Sequence, residues 1–215
     1  MAEKELLATA FKHEKTAEFS SVSVYCYQPF SHSSTMIYTQ GLANNNQHAL
    51  AGKTDQIYPY IEVYFLVPSY WNVAKADQKW PLEVINRIVS GRVNQKAWYG
   101  PGDTFTAHPK AMQSDEVIDT NSSGEISTIP KAINKVFKQN HFILTEPVAA
   151  QGHLTALEGD SVNYLAIVPI YQKEFEYKTS RSALELIMKF EQRQINELID
   201  EHRPIAARKK FFGLF

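Results

Sequence analysis

The sequence predicts an α+β fold, a mixed β-sheet packed by helices. Three observations carry the prediction. Two strongly apolar strand-length runs, Tyr60–Val67 and Val162–Tyr171, lie far apart in the chain. An alternating stretch, Ser21–Tyr27, reads as a half-buried strand. Helical spacing of apolar residues recurs after Trp80 and again over Arg181–His202. No Pro-, Gly- or Ser-rich linker divides the chain and no repeat appears, so one domain over residues 1–215 is expected.

In chain order, Glu3–Phe19 has helical composition, with Leu6, Leu7, Ala10, Phe11 and Phe19 as its apolar stripe. In Ser21–Tyr27, Val22, Val24 and Cys26 face inward, which makes Cys26 a small core hydrophobe rather than a nucleophile. Thr35–Gln40 is a short strand ended by Gly41, and the polar run Asn44–Asp55 reads as an exposed connection. Tyr60–Val67 is apolar on both alternate sets apart from Glu62, as in a central strand covered on both faces. A carboxylate there needs water, a cation or hydrogen-bond donors. Two readings follow for Glu62: it sits near an opening in the cover, or it is a polar group at a binding groove.

Asn72–Lys79 is a loop, and Trp80–Pro81 opens a helix, since proline suits the first turn. Trp80 is expected to anchor that helix start against the body of the protein. Gly91 either stops the helix or is accommodated in it, and Asn94–Lys96 is a last turn or a loop. Gly100–Asp103 is a turn, Thr104–Ala107 a short strand, and His108–Lys131 a long polar excursion. Ile133–Phe137 adds a helical turn, His141–Thr145 is a buried strand, and Val148–Asp160 is a loop. In Val162–Tyr171, Pro169 marks a bulge, a sheet edge or the strand end. Arg181–His202 is the last helix, capped by Ser180 and ended by Pro204. Its stripe is Ala183, Leu184, Ile187, Met188, Ile195, Leu198 and Ile199. The tail, 204–215, is basic and then aromatic.

At 44% hydrophobic and 21% charged, the chain has the composition of a soluble globular protein. A net charge of −1 argues against a general nucleic-acid or membrane-surface binder. Cys26 is the single cysteine, so no internal disulfide forms and a reducing, cytoplasmic setting is expected. The nine glycines are dispersed and form no phosphate loop. The seven histidines show no helical zinc spacing, so no metal or cofactor is expected. Loop acids such as Asp103 and Glu146 could form a carboxylate pair, as they could in most proteins. The residues alone point to a soluble α+β domain that is not an enzyme.

Seven stretches, in order, resemble the suppressor-of-fused family. They are STMIYTQGLAN at Ser34–Asn44, YPYIEVYFLVP at Tyr58–Pro68, KWPLEVINRIV at Lys79–Val89, GPGDTF at Gly100–Phe105, FILTEP at Phe142–Pro147, VNYLAIVPIYQKEFEY at Val162–Tyr177 and SALELI at Ser182–Ile187. Together they cover roughly residues 34–190, and their shared order weighs more than any single motif. The resemblance implies a non-enzymatic protein-binding domain. Animal members bind and restrain transcription factors, and a partner peptide adds as a strand between this domain and a second one. Short bacterial members look like immunity proteins that neutralise toxins, which is the function the resemblance implies here. The alternatives are a regulatory or scaffold domain that binds a peptide, and, further off, a hydrolase with carboxylate chemistry. The family's groove acids correspond to Asp103 and Glu146, which become the expected partner-binding residues. The helix tyrosine that accompanies them in animal members falls on Gly91.

Overall fold

The computed structural model describes residues 12–28, 33–47, 58–107, 125–126, 138–150, 154 and 162–207. Its centre is the strand β4 (Ile61–Pro68). Strands β1 (Lys12–Phe19), β2 (Val22–Gln28) and β3 (Ser34–Gln40) lie on one side of β4 as an antiparallel meander. On the other side come β8 (Asn163–Ile170), β7 (His141–Thr145), β5 (Thr104–Ala107) and β6 (Glu125–Ile126). The sheet order among the described residues is β1-β2-β3-β4-β8-β7-β5-β6, with β4–β8 and β5–β6 parallel. The predicted α+β class with a mixed sheet is therefore observed.

Both faces of β4 are covered, as its two-sided apolarity implied. Ile61, Val63, Phe65 and Val67 pack under the helix α1 (Trp80–Gln95), against Val84, Ile85, Ile88 and Val89. Tyr64 and Leu66 face the opposite layer, with Met36, Tyr38, Ile143 and Tyr164. That layer is covered by α3 (Ala183–Gln192) through Leu186 and Phe190. The short helix α2 (Gln172–Ser180) leads into α3.

Several expectations are corrected. The described part of Glu3–Phe19 is not a helix: Lys12–Phe19 is an edge strand that hairpins onto β2, with a bulge between Lys15 and Ala17. Pairing with β2 outweighs a helical composition, because propensity is a weak prior against tertiary contacts. The expected long helix Arg181–His202 is observed only over Ala183–Gln192, and a separate short helix, Gln172–Ser180, precedes it. The chain breaks at Arg181–Ser182, and Ser182, not Ser180, caps α3 by accepting from the Glu185 N–H at 3.1 Å. Helix α3 ends at Gln192, and its inward residues are Leu186 and Phe190, whereas Leu184 and Met188 face solvent. The run Asn44–Asp55 is not uniformly exposed, because Gln47 is fully buried. Cys26 is half-buried: it packs against the core, as expected of its side of the strand, and also lines a cleft. Helix α1 accommodates Gly91 and runs to Gln95, ending on Lys96 in the left-handed region (φ 56°). The readings for Ile133–Phe137, for most of His108–Lys131 and for 208–215 lie outside the described residues.

Beyond α3 the chain returns to the sheet. Strand β8 pairs with β4 only over Asn163–Ala166, and past that point the Ile199 N–H donates to the Leu66 carbonyl at 2.9 Å. Pro169 therefore sits where β8 has left β4 and has a strand, β7, on one side only. Glu197, 2% exposed, locks this return. Its Oε1 accepts from the Tyr64 hydroxyl (3.0 Å) and from the Val148 (3.0 Å) and Ala150 (2.8 Å) N–H groups.

Candidate functional site

The turn before β5 and the end of β7 bring Asp103 and Glu146 to one end of the sheet. The Gly102 N–H donates to Leu144 O at 2.7 Å, and the Leu144 N–H donates to Asp103 O at 2.9 Å. Gly102 has φ +88°, and a Cβ there would lie 2.7 Å from Ala183 Cβ, so glycine is required both for the backbone and for the approach of α3. The Asp103 carboxylate accepts from its own turn, from the Gly100 N–H at 2.8 Å. Glu146 is exposed and accepts a hydrogen bond from the Tyr58 hydroxyl.

Each acid thus stands against a tyrosine. Burial, then the hydrogen bond from Tyr58 to Glu146 and the charge of that carboxylate, pushes the Tyr58 phenol up to about 12. Burial and the Asp103 charge raise Tyr99 to about 12, with Arg92 acting the other way. Both phenols are protonated at neutral pH, and that of Tyr58 donates to Glu146.

Gln47 yokes the two tyrosines. Its Nε2 donates to Tyr58 O (2.7 Å) and Tyr99 O (2.8 Å), while its Oε1 accepts from the Tyr99 N–H (2.8 Å). Sequence reasoning placed Gln47 in an exposed connection and did not single out Tyr58 or Tyr99. Only the tertiary fold brings these three together. Gly91, where the resemblance puts a tyrosine, lies directly under the Tyr99 hydroxyl, so a side chain there would collide with it. The phenol at this place comes from another segment of the chain. Arg92 beside it is fully buried and donates to Asn45 O (2.6 Å) and Ala97 O (3.1 Å); burial pulls its guanidinium below the usual range.

Glu62 is neither at an opening nor at a groove. It is 2% exposed, and its carboxylate accepts from Thr39 Oγ1 (2.6 Å) and from the N–H groups of Gly41 (2.8 Å), Leu42 (3.3 Å) and Ala43 (3.0 Å). It caps the 3-10 turn Leu42–Asn44, which leads to Gln47. Burial outweighs these donors and raises its carboxyl above the ordinary 4.5. A raised carboxyl means that the folded state binds a proton more readily than the unfolded one. Its contribution is then greatest below pH 4.5 and falls as pH rises through the folded value. Glu62→Gln mimics the protonated form. Wild type and variant are therefore expected to differ least at pH 4, and the wild type to lose stability relative to the variant as pH rises to 7 in urea unfolding; a wild type that gains on the variant as pH rises would contradict it.

A separate cleft of about 780 Å³ lies beside β1–β4, with Cys26, Ile37, Val67 and Leu82 among its walls and Trp71 at its side. Burial pushes the Cys26 thiol up, which disfavours the reactive thiolate. Among the described residues no group of three His, Cys, Asp or Glu side chains is placed to hold a metal, and no helix is long and apolar enough to cross a membrane.

No curated protein matches the chain. Two solved structures share its fold. A SUFU (suppressor of fused protein) homolog from Neisseria gonorrhoeae FA 1090 is 14% identical, with 97% of this chain and 94% of that one covered and a TM-score of 0.61. The Sufu–Fu complex crystal structure contains a chain 10% identical, with 95% and 91% covered and a TM-score of 0.52. The family profile for suppressor of fused protein matches residues 19–204, and the chain belongs to that family.

Proposed function

We propose that this chain is a single, non-enzymatic protein-binding domain whose partner meets the end of the sheet bearing Asp103 and Glu146. The observation that supports this reading is the shared anchorage of the two segments that bear the acids. The turn and the β7 end are hydrogen-bonded together, and buried Gln47 holds the flanking tyrosines in place. A solved relative in fold is a Sufu–Fu complex, which supports a protein partner. The acids are engaged as acceptors, one by a turn N–H and one by a phenol, an arrangement suited to recognition rather than to proton transfer. Two rigidly held carboxylates favour a basic partner surface, with more effect on association rate and specificity than on affinity. The finer reading is immunity, in which the partner is a toxin. It rests on the resemblance to short bacterial members of the family.

The test pairs Asp103→Asn with Glu146→Gln. A partner is first captured with the wild-type chain as bait, then bound to purified wild type and double variant at low and high salt. The variant is expected to keep its unfolding midpoint and to associate more slowly, with the difference shrinking at high salt. Unchanged binding by a folded variant defeats the site. Co-expression of the chain with the captured partner tests immunity: failure to relieve growth arrest leaves protein binding without toxin neutralisation.

A further inference from the structure

Glu146 stands one residue beyond the last ladder pair of β7. The β7–β8 register closes at Thr145–Ala166, and Pro147 has no N–H with which to extend it. The position of this acid therefore depends on what holds the chain after it. The Val148 and Ala150 N–H groups both donate to Oε1 of Glu197, at 3.0 Å and 2.8 Å. The Tyr64 hydroxyl donates to the same oxygen at 3.0 Å. Glu197 is buried, so these bonds are made in a dry site, where a carboxylate holds its donors more strongly than in water.

The anchor is itself fixed. Leu198, the next residue, bridges to Leu66 of β4, and the Ile199 N–H donates to the Leu66 carbonyl. Those two contacts already fasten the returning chain to the central strand. The two amide bonds of Glu197 do something further: they tie the chain beyond β7 to that same strand. From its other side Glu146 takes the Tyr58 hydroxyl, and the Tyr58 carbonyl is held by buried Gln47. Glu146 thus sits between a side-chain contact to Tyr58 and a backbone tether that begins two residues on.

We infer that Glu197 is a positioning residue of the partner site, holding the chain after β7 so that Glu146 meets Tyr58 and stays presented. It acts through two backbone amides and does not touch the partner. The inference rests on the reading of Glu146 as a partner-facing acid and adds which buried group sets its place. A recognition group on a loop keeps its geometry only when the groups that support it are themselves locked.

The first readout needs no partner. The ring Cζ resonance of Tyr58, in carbon-13-labelled protein, senses whether the phenol donates to Glu146, and Glu146→Ala marks the position of the lost bond. Glu197→Ala is expected to move this resonance toward that of Glu146→Ala. Arg203→Ala loosens the same returning segment where it grips Glu174, and so controls for stability alone; it is expected to leave the resonance at its wild-type position. The second readout uses hexa-arginine as a basic probe at low salt, followed by amide shifts at Asp103 and Glu146. Glu197→Ala is expected to lose the shift at Glu146 and keep the one at Asp103. A Tyr58 resonance unmoved in folded Glu197→Ala, or moved as far by Arg203→Ala, overturns the inference and leaves the acid site standing. The same holds if Glu197→Ala keeps both probe shifts or loses both. Absence of probe shifts in the wild type overturns the acid site, and the inference with it. If Glu197→Ala does not fold, Glu197→Gln takes its place, keeping the volume and one acceptor oxygen without the charge. That variant is expected to fall between wild type and Glu146→Ala in both readouts, and wild-type values in both overturn the inference.

Discussion

Arg203→Ala is expected to lower the unfolding free energy by about 3–5 kcal/mol, the range for breaking a buried ion pair from one side. Arg203 is 7% exposed and Glu174 is fully buried. The guanidinium meets the carboxylate with both forks, at 2.7 Å and 2.6 Å, and also donates to Pro169 O at 2.9 Å. It lies 5.0 Å from the Tyr171 ring and 5.3 Å from the Phe190 ring. Glu174 closes the rest of its shell with the N–H groups of Tyr171 (2.9 Å) and Ala206 (2.7 Å). This pair therefore fixes the returning chain to α2, to β8 and to the inner end of α3 at once. Removing the arginine leaves a carboxylate in a dry site with two backbone donors. The gain of the pair over an apolar filling is a different quantity, and desolvation makes it small. Glu174→Leu combined with Arg203→Met should accordingly recover most of the loss suffered by Arg203→Ala. The measurement is urea unfolding, reading midpoints at constant slope. A loss below about 1 kcal/mol in Arg203→Ala would show that the clamp contributes no more than an exposed pair.

What was legible in the chain was what local pattern encodes. The two alternate sets of β4 announce a strand covered on both sides, and the structure puts α1 on one side and α3 on the other. Proline at Pro81 marks the start of α1, and Gly-Asp at Gly102–Asp103 marks the turn. What was not legible was set by partners distant in sequence. Lys12–Phe19 is a strand because β2 pairs with it, and nothing in its own composition says so. The phase of α3 was misread because Ile195, Leu198 and Ile199 were counted in one long stripe with it. Once the helix stops at Gln192, those residues no longer fix its phase, and Leu186 and Phe190 turn inward instead. Glu62 was visible as an anomaly, but its answer, three N–H groups of the segment after β3, lay some twenty residues upstream. Of the candidate site, the acids were readable through family resemblance. Gln47 and the two tyrosines were not, because an amide in a polar run has the same appearance whether it is buried or solvated.

Trp80→Ala carries the other large expected effect, about 3–5 kcal/mol, as for a large aromatic removed from a core. Trp80 is the first residue of α1 and is 3% exposed. It stands edge-on to Phe65 at 5.3 Å between ring centroids and to Trp71 at 5.9 Å, and is tilted against Phe142 at 5.9 Å. Those three rings come from β4, from the loop after it and from β7, so one indole joins the helix start to three segments. Apart from Pro81 and Glu83 in its first turn, the helix has no side-chain cap at this end. Its N-cap, Lys79, makes no side-chain cap and has helical backbone angles. A capping residue would add only about 1 kcal/mol. The position of the first turn therefore depends on packing, and truncation both opens a cavity and frees the turn to shift. Trp80→Phe keeps a ring against Phe65 and is expected to lose clearly less. Urea unfolding of the two variants separates the cases. If Trp80→Phe costs as much as Trp80→Ala, an interaction specific to the indole holds the helix start, and packing volume is not the cause. If Trp80→Ala costs under about 1 kcal/mol, the range of ordinary surface changes, the indole is not the anchor of α1.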